Sequence, residues 1–387
     1  MNNKNDRSFI LSKWIIGIYL LVALFGSFLA GDVPIFCNDN GKMSFPLISS
    51  FFNASSFNVK YSKETCIMPL IPYSPLNIDK NDPSAMSPFE PSKNGTFKNK
   101  HWFGTDKLGR DVASGMIHGT ATALKIGVIS VFFAFIVGVS LGMMSGYYKD
   151  DGIRISAPLL IAILMFITIG LYYMIMEWII FNPSMLYFSL GCLVMIILVR
   201  ASTGWLNKWE YFKKYDVPFD MLLLKVIEVR KSFPGIFILL ALVSLFAVPS
   251  IWNIVFIIAL LGWTEFARFA RAETLAIKEE NYILSVKVLG FSDVRILFRH
   301  ILPNILPTLI VIACFSIGSA VLLESTLSFL GIGLPVEEVT WGKMMAEGRN
   351  MNAWWLVVFP GLAIFILILS LNSLASGYQK SNFSRLF

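Results

Sequence analysis

The sequence predicts an all-α membrane protein, a polytopic helical bundle with about eight transmembrane helices. Three observations carry that prediction. The 387 residues are 56% apolar, with a mean hydropathy of +0.66, far above what a water-facing surface allows. Apolar runs recur at 12–30, 120–148, 157–181, 183–200, 232–249, 250–268, 304–333 and 353–376, and about 20 helical residues cross the hydrocarbon. Lys and Arg also alternate between sides. With the N-terminus inside, 20 fall on inside segments and 11 outside, nine of those in one long loop that weighs little. Both termini are then cytoplasmic, and the net charge of +7 reads as anchoring against lipid. No basic stripe interleaved with aromatics points to nucleic acid.

Residues 1–30 form a tail with Lys4 and Arg7 followed by the first helix. The same stretch, ending in Ala30-Gly31, also fits a secretory signal; an uncleaved helix is the favoured reading. Residues 31–118 form an exported loop rich in Asn, Ser, Pro and Lys. That is long for a loop, which suggests a small ordered cap or an extended arm. It holds Cys37 and Cys66, where oxidation is possible. Residues 119–152 carry the second helix. The runs on either side of Pro183 and of Pro249 are read as helix pairs joined by tight turns.

The last part, 220–387, contains the one charge well inside a span, Glu324. A buried charge costs about 2.5–3.5 kcal/mol on insertion scales, so it should face the bundle or a water-filled path. A helix-packing hydrogen bond and a substrate contact are both open to it. Between two apolar runs lies a polar, basic, helix-prone segment, 281–304 (NYILSVKVLGFSDVRILFRHILPN). It reads as two short helices around Gly290 with a stop at Pro303. Ser292 suits the cap of the second helix and Asp293 its positive end. Such a knob suits docking of a cytoplasmic partner; an ordinary basic loop is the alternative.

That segment resembles the coupling loop of ABC-importer permeases: Glu-Ala-Ala, three residues, Gly, nine residues, I-x-L-P. Leu284-Ser285-Val286 stand where Glu-Ala-Ala would be and His300 replaces the Ile, while Gly290 and Leu302-Pro303 fall in place. The longer run LGFSDVRILFRHILPN is similar to the peptide-importer branch. Upstream, Gly104, Thr105, Asp106, Gly109, Arg110 and Asp111 match the G-T-D-x-x-G-R-D signature of the C-type subunit of dipeptide and oligopeptide permeases without a gap. Asp106 and Asp111 can pair with Arg110 or cap the following helix. An elbow on the membrane surface is the preferred role, and substrate contact the other. Residues 29–36 with Phe45-Pro46 are similar to the microcin C and peptide permease branch, and 322–335 (LLESTLSFLGIGLP) to the E-x-x-L-S-F-L-G-x-G segment. The pattern breaks at 153–219, which reads as an inserted two-helix hairpin, and resumes with Asp220, Lys225 and Glu228. Two extra spans preserve parity.

The resemblance implies a type I ABC-importer permease core, six family helices plus the hairpin, in a bacterial inner membrane. Its coupling loop is 269–303. Leu284, Val288, Leu289 and Phe291 would supply apolar contact to an ATPase, and Ser285, Lys287, Gly290, Ser292 and Asp293 its polar register and turn. The implied partners are a second, B-type permease, two ATPase subunits holding ATP and Mg, and an external peptide-binding protein.

The chain itself is expected to be no enzyme and to bind no metal or cofactor. It has no phosphate-loop motif, no H-E-x-x-H, no CxxC pair and no nucleophile elbow. Its three histidines, His101, His118 and His300, are scattered. The alternative is a stand-alone secondary transporter or channel. That would want several intramembrane charges, or broken helices in matching halves.

Overall fold

A computed structural model describes residues 2–39, 42–52, 66–78, 85–88, 90, 101–150, 152, 154–156, 214–246 and 248–386. Among them, five helices are long and apolar enough to cross a membrane: Arg7–Leu29, Val112–Tyr148, Ile251–Lys278, Asp293–Phe329 and Trp354–Lys380. The polytopic helical reading therefore holds. The expected spans 157–181 and 183–200 lie outside the described residues. The expected span 232–249 is much shorter than its apolar run, because only Gly235–Ser244 is helical. Ten residues reach roughly 15 Å, about half the hydrocarbon thickness. Pro234 explains the break. It disfavours helical backbone in the residue before it, and Phe233 is extended at φ −100°, ψ 132°.

The chain divides into two compact units, 1–131 with 310–387, and 132–309. In the first, α1 (Asn2–Leu29) leads into a three-stranded antiparallel sheet of β1 (Phe36–Asp39), β2 (Lys42–Ser44) and β3 (Cys66–Ile67), followed by α2 (Pro46–Phe52) between β2 and β3. Cys37 and Cys66 are register partners across β1 and β3, and they are disulfide-bonded. The chain after β3 returns to the end of α1: Gly31 N–H donates to the Ile71 carbonyl at 3.0 Å and Ile71 N–H to that of Leu29 at 2.9 Å. Where it is described, the segment after α1 is thus held by a small sheet and by backbone bonds to the end of α1.

The core of this unit is built on Trp341, which is fully buried. Around it pack Val112, Leu124, Val321, Met344, Leu356 and Leu367. They come from α3 (Val112–Tyr148), the C-terminal part of a long helix ending at Phe329, and two later helices, Trp341–Met351 and Trp354–Leu386.

In the second unit, β4 (Arg154–Ser156) pairs antiparallel with β5 (Lys214–Asp216), with Ser156 opposite Lys214. Then follow α4 (Phe219–Ser232), α5 (Gly235–Ser244), α6 (Ile251–Lys278), α7 (Asn281–Val288), α8 (Asp293–Ile296) and α9 (Leu302–Phe329), the last running on into the first unit. The two helices after it are α10 (Trp341–Met351) and α11 (Trp354–Leu386). Leu223 and Ile227 of α4 bury against Ala267 of α6, with Leu141 and Trp263.

The second half of α3 meets α6 through Gly138, Gly142 and Gly146, spaced four apart and so on one face. A Cβ at these positions would lie 2.3 Å from the Trp263 carbonyl oxygen, 2.3 Å from that of Ala267 and 2.7 Å from that of Arg271. Small residues at this spacing let helix backbones touch.

The body of the stretch 153–219, expected to be an inserted hairpin, lies outside the described residues, but β4 and β5 bring its flanks together as cross-strand neighbours. Two residues suffice to close such a pair, and Asn-Gly suits the tight turn. Replacing 157–213 by Asn-Gly is therefore expected to leave the second unit folded. The check is an unchanged monodisperse peak and thermal midpoint in detergent.

Candidate functional site

The loop between α6 and α9 is built around a helix end. Phe291 N–H bonds to the Val286 carbonyl at 3.4 Å and Gly290 N–H to that of Lys287 at 3.0 Å. This paired closure is the Schellman arrangement and needs a left-handed residue between the helix and the exit. Gly290 supplies it at φ +79°. Nothing lies within 4 Å of a Cβ built there, so the glycine serves conformation rather than space.

Only Ile283 of α7 is buried. Leu284 and Phe291 are exposed, Val288 is 88% exposed and Leu289 74%. Lys287 and Ser285 are exposed as well, the Ser285 hydroxyl bonding back to the Asn281 carbonyl at 2.9 Å. The loop therefore offers an apolar knob with a basic side chain beside it. Isolated exposed apolar residues are ordinary, but a contiguous group marks a contact surface.

Two local expectations fail. Ser292 occupies the cap position of α8 but its side chain makes no cap bond. Its neighbour Asp293 points inward instead and accepts from the Tyr147 hydroxyl at 2.7 Å. Nor does the helix stop at Pro303. A π turn at Leu297–Ile301 carries the chain into α9, with Leu302 N–H reaching back to the Leu297 carbonyl. Proline lacks an N–H and its ring clashes with the carbonyl four residues earlier in an α-helix. The wider turn relieves that conflict, and Ile296 and Ile301 stay fully buried.

Behind the knob, three helices meet on one carboxylate. Asp220, in the first turn of α4, accepts from both Nε and Nη2 of Arg271 on α6 and from the hydroxyl of Ser145 on α3. Hydrogen bonding from Arg271 holds the Asp220 carboxyl below its usual range; burial pulls the other way, and Ser145 adds to the lowering. A depressed carboxylate stabilises the fold above its unfolded pKa, about 3.9, and loses that effect as pH falls through the folded value. Stability from this group is thus flat through neutrality and lost in acid. Asp220→Asn leaves the guanidinium without its counter-charge, and is expected to cost about 3 kcal/mol, read as a lowered thermal midpoint at pH 7 that converges on wild type in acid. Sequence reading placed Asp220 only as a point where a pattern resumes, counted Arg271 only among the inside charges, and passed over Ser145. Their partners lie 75 and 51 residues away, and nothing local signals such a pairing.

In the first unit, the signature 104–111 is a self-satisfied turn. Asp106 pairs with the Arg110 guanidinium and accepts backbone N–H bonds from Leu108 and Arg110, each at 2.8 Å. Asp111 caps α3 by accepting from Ser114 N–H at 2.6 Å, and its other oxygen lies 2.8 Å from His101 Nδ1. Thr105 receives Met86 N–H at 2.9 Å and its carbonyl accepts from the Trp355 indole at 3.2 Å. Gly104 and Gly109 both have positive φ. Arg110 also reaches Glu347 at 2.9 Å, at one edge of a cleft of about 340 Å³ that Lys343, Leu334 and Val339 also line.

Glu324 does not line that cleft, although Ser328 and Thr340 do. It is fully buried, accepting from Ser328 at 2.7 Å and Ser325 at 3.3 Å. Both hydroxyls belong to α9 itself, so the carboxyl group is satisfied within its own helix.

Comparison with known proteins agrees with this architecture. Residues 213–383 match the family described as binding-protein-dependent transport system inner membrane component, a stretch containing Asp220, Arg271, the knob and Glu324. The dipeptide transport system permease protein DppC of Alkalihalophilus pseudofirmus is 28% identical over 284 residues, 73% of this chain and 71% of that protein. The glutathione transport system permease protein GsiD is 28% identical over 283 residues in Pectobacterium atrosepticum and 29% over 284 residues in Escherichia coli, with the same 73% and 71% coverage in each case. Residues 213–383 are thus similar to the binding-protein-dependent transport family, and the five long apolar helices suit a multi-pass membrane protein.

Proposed function

We propose that this chain is the transmembrane permease subunit of an ABC importer that moves peptides or peptide-like compounds across a bacterial inner membrane, with both termini in the cytoplasm. The observation that carries the reading is the knob: an exposed apolar turn of α7, set by Gly290, on a helix otherwise anchored by Ile283. An apolar group presented outward is what a partner's groove needs. The partner is an ATPase subunit, one of two, which hold ATP and Mg. A second permease completes the path, and an external binding protein delivers cargo. The peptide class is supported by the relatives, named for dipeptide and glutathione transport.

Closure of the ATPase pair on ATP would move the knob, and with it the helices it is tied to, turning access from inward to outward. Hydrolysis would reset the cycle. Glu324, fully buried against Ser325 and Ser328, stands as a helix-packing group, and the 104–111 turn as the elbow that starts α3.

The test is purification of the tagged full-length chain from native membranes in mild detergent. Co-purification of a second permease and of ATPases, followed by ATP-dependent peptide uptake in proteoliposomes, is the expected result. A chain that purifies alone, under conditions that keep a known importer intact, would overturn the reading in favour of a stand-alone transporter.

A further inference from the structure

Tyr147, in the last turn of α3, is gripped on three sides. Its hydroxyl donates to Asp293 Oδ1 at 2.7 Å. Its carbonyl accepts from Lys278 Nζ, at the end of α6, at 2.5 Å. The same ammonium sits 5.3 Å from its ring centroid, a cation–π distance. The residue is only 4% exposed. The phenol of the next residue, Tyr148, lies near the same carboxylate. One residue thus joins the ends of α3 and α6 to the first turn of α8, three positions after Gly290. Elsewhere along α3 and α6 the glycine face leaves no slack between the backbones.

We infer that the Tyr147–Asp293 bond, backed by Tyr148, is the pin that makes α3 follow the knob, and that these are positioning residues for coupling ATP hydrolysis to transport. The knob's own turn has open space around it, and α7 buries one side chain only. A push on α7 could therefore be absorbed by bending at Gly290. Asp293 lies on the far side of that bend, and its bond to α3 converts movement of the loop into movement of the span. The inference rests on the importer reading above.

The experiment uses the complete importer in proteoliposomes, with external binding protein and peptide, measuring uptake and ATP hydrolysis together. Tyr147→Phe with Tyr148→Phe removes both hydroxyls and nothing else; Asp293→Ala removes the carboxylate that Tyr147 bonds. Each is expected to lower peptide taken up per ATP hydrolysed by about fivefold or more, the lower end of usual coupling effects, with ATPase subunits still bound. The triple variant should lose no more than either, because one interaction is being removed.

An unchanged ratio in both variants would overturn the pin. So would a proportionate fall in uptake and hydrolysis, losses that multiply in the triple variant, or failure of both variants to assemble, since the residues would then serve the fold. If the wild-type complex itself shows no ATP-driven uptake, the importer reading fails instead. That outcome is read before any variant is made.

Discussion

Gly142→Leu is expected to leave no properly folded protein in detergent extracts: a shifted or void-volume peak in size exclusion, and loss of the cooperative thermal transition. A Cβ at 142 would stand 2.3 Å from the Ala267 carbonyl oxygen and 2.9 Å from its carbonyl carbon and Cα. Those atoms are the backbone of α6, so no rotamer change relieves the contact. Helix α6 must move away from α3. Forced overpacking costs about 1–3 kcal/mol where neighbours can adjust, and here they are a helix backbone.

Displacing α6 also pulls Arg271 from Asp220 and opens the packing of Ala267 against Leu223 and Ile227. The losses therefore compound. Gly142→Ala should show the same change in milder form. Gly17→Leu is the control, because a Cβ there meets nothing within 4 Å and α1 is apolar; it should behave as wild type.

The glycine face shows why some of this structure was legible in the sequence and some was not. Hydropathy reads Gly138, Gly142 and Gly146 as part of an apolar run, so the span was visible while its contact face was not. The face is visible only as a period of four, once a second helix is known to need it. The long spans at 12–30, 120–148, 250–268, 304–333 and 353–376 were recovered because burial in lipid imprints continuous apolarity. Their ends were misjudged where polar residues continue a helix, as from Phe269 to Lys278.

Pro303 was read as a stop because the rule for proline assumes α geometry on both sides, and a π turn evades it. In the 104–111 turn, both roles open to the carboxylates are realised, Asp106 pairing and Asp111 capping. Asp293 was read by its position at a helix start, which it keeps, but its strongest contact is with α3. Bonds between residues distant in sequence leave no local pattern; the three-helix junction at Asp220 was invisible for the same reason.

Val288→Glu with Leu289→Glu is expected to abolish uptake while leaving the chain folded. The two side chains are the most exposed of the knob, and the loop's structure rests on the Gly290 turn, Ile283 and Asp293 rather than on them. Substitutions at such positions usually change stability by within about 0.5 kcal/mol, so the thermal midpoint should hold. A partner's groove would meet the change very differently. Apolar anchors at the centre of an interface are worth about 2 kcal/mol or more each, and an unpaired carboxylate buried there adds its own desolvation cost. Two such changes are expected to weaken association by about a thousandfold, at roughly 1.4 kcal/mol per factor of ten.

The ATPases should then be missing from the purified complex, while the second permease remains. Gly290→Asp attacks the same contact by another route. It keeps the apolar side chains but strains the left-handed turn by about 1–2 kcal/mol, so it should weaken coupling while retaining the ATPases. If the double Glu variant kept its ATPases and its uptake, the exposed apolar turn would not be the docking surface, and the case for an importer would have to rest on the family match alone.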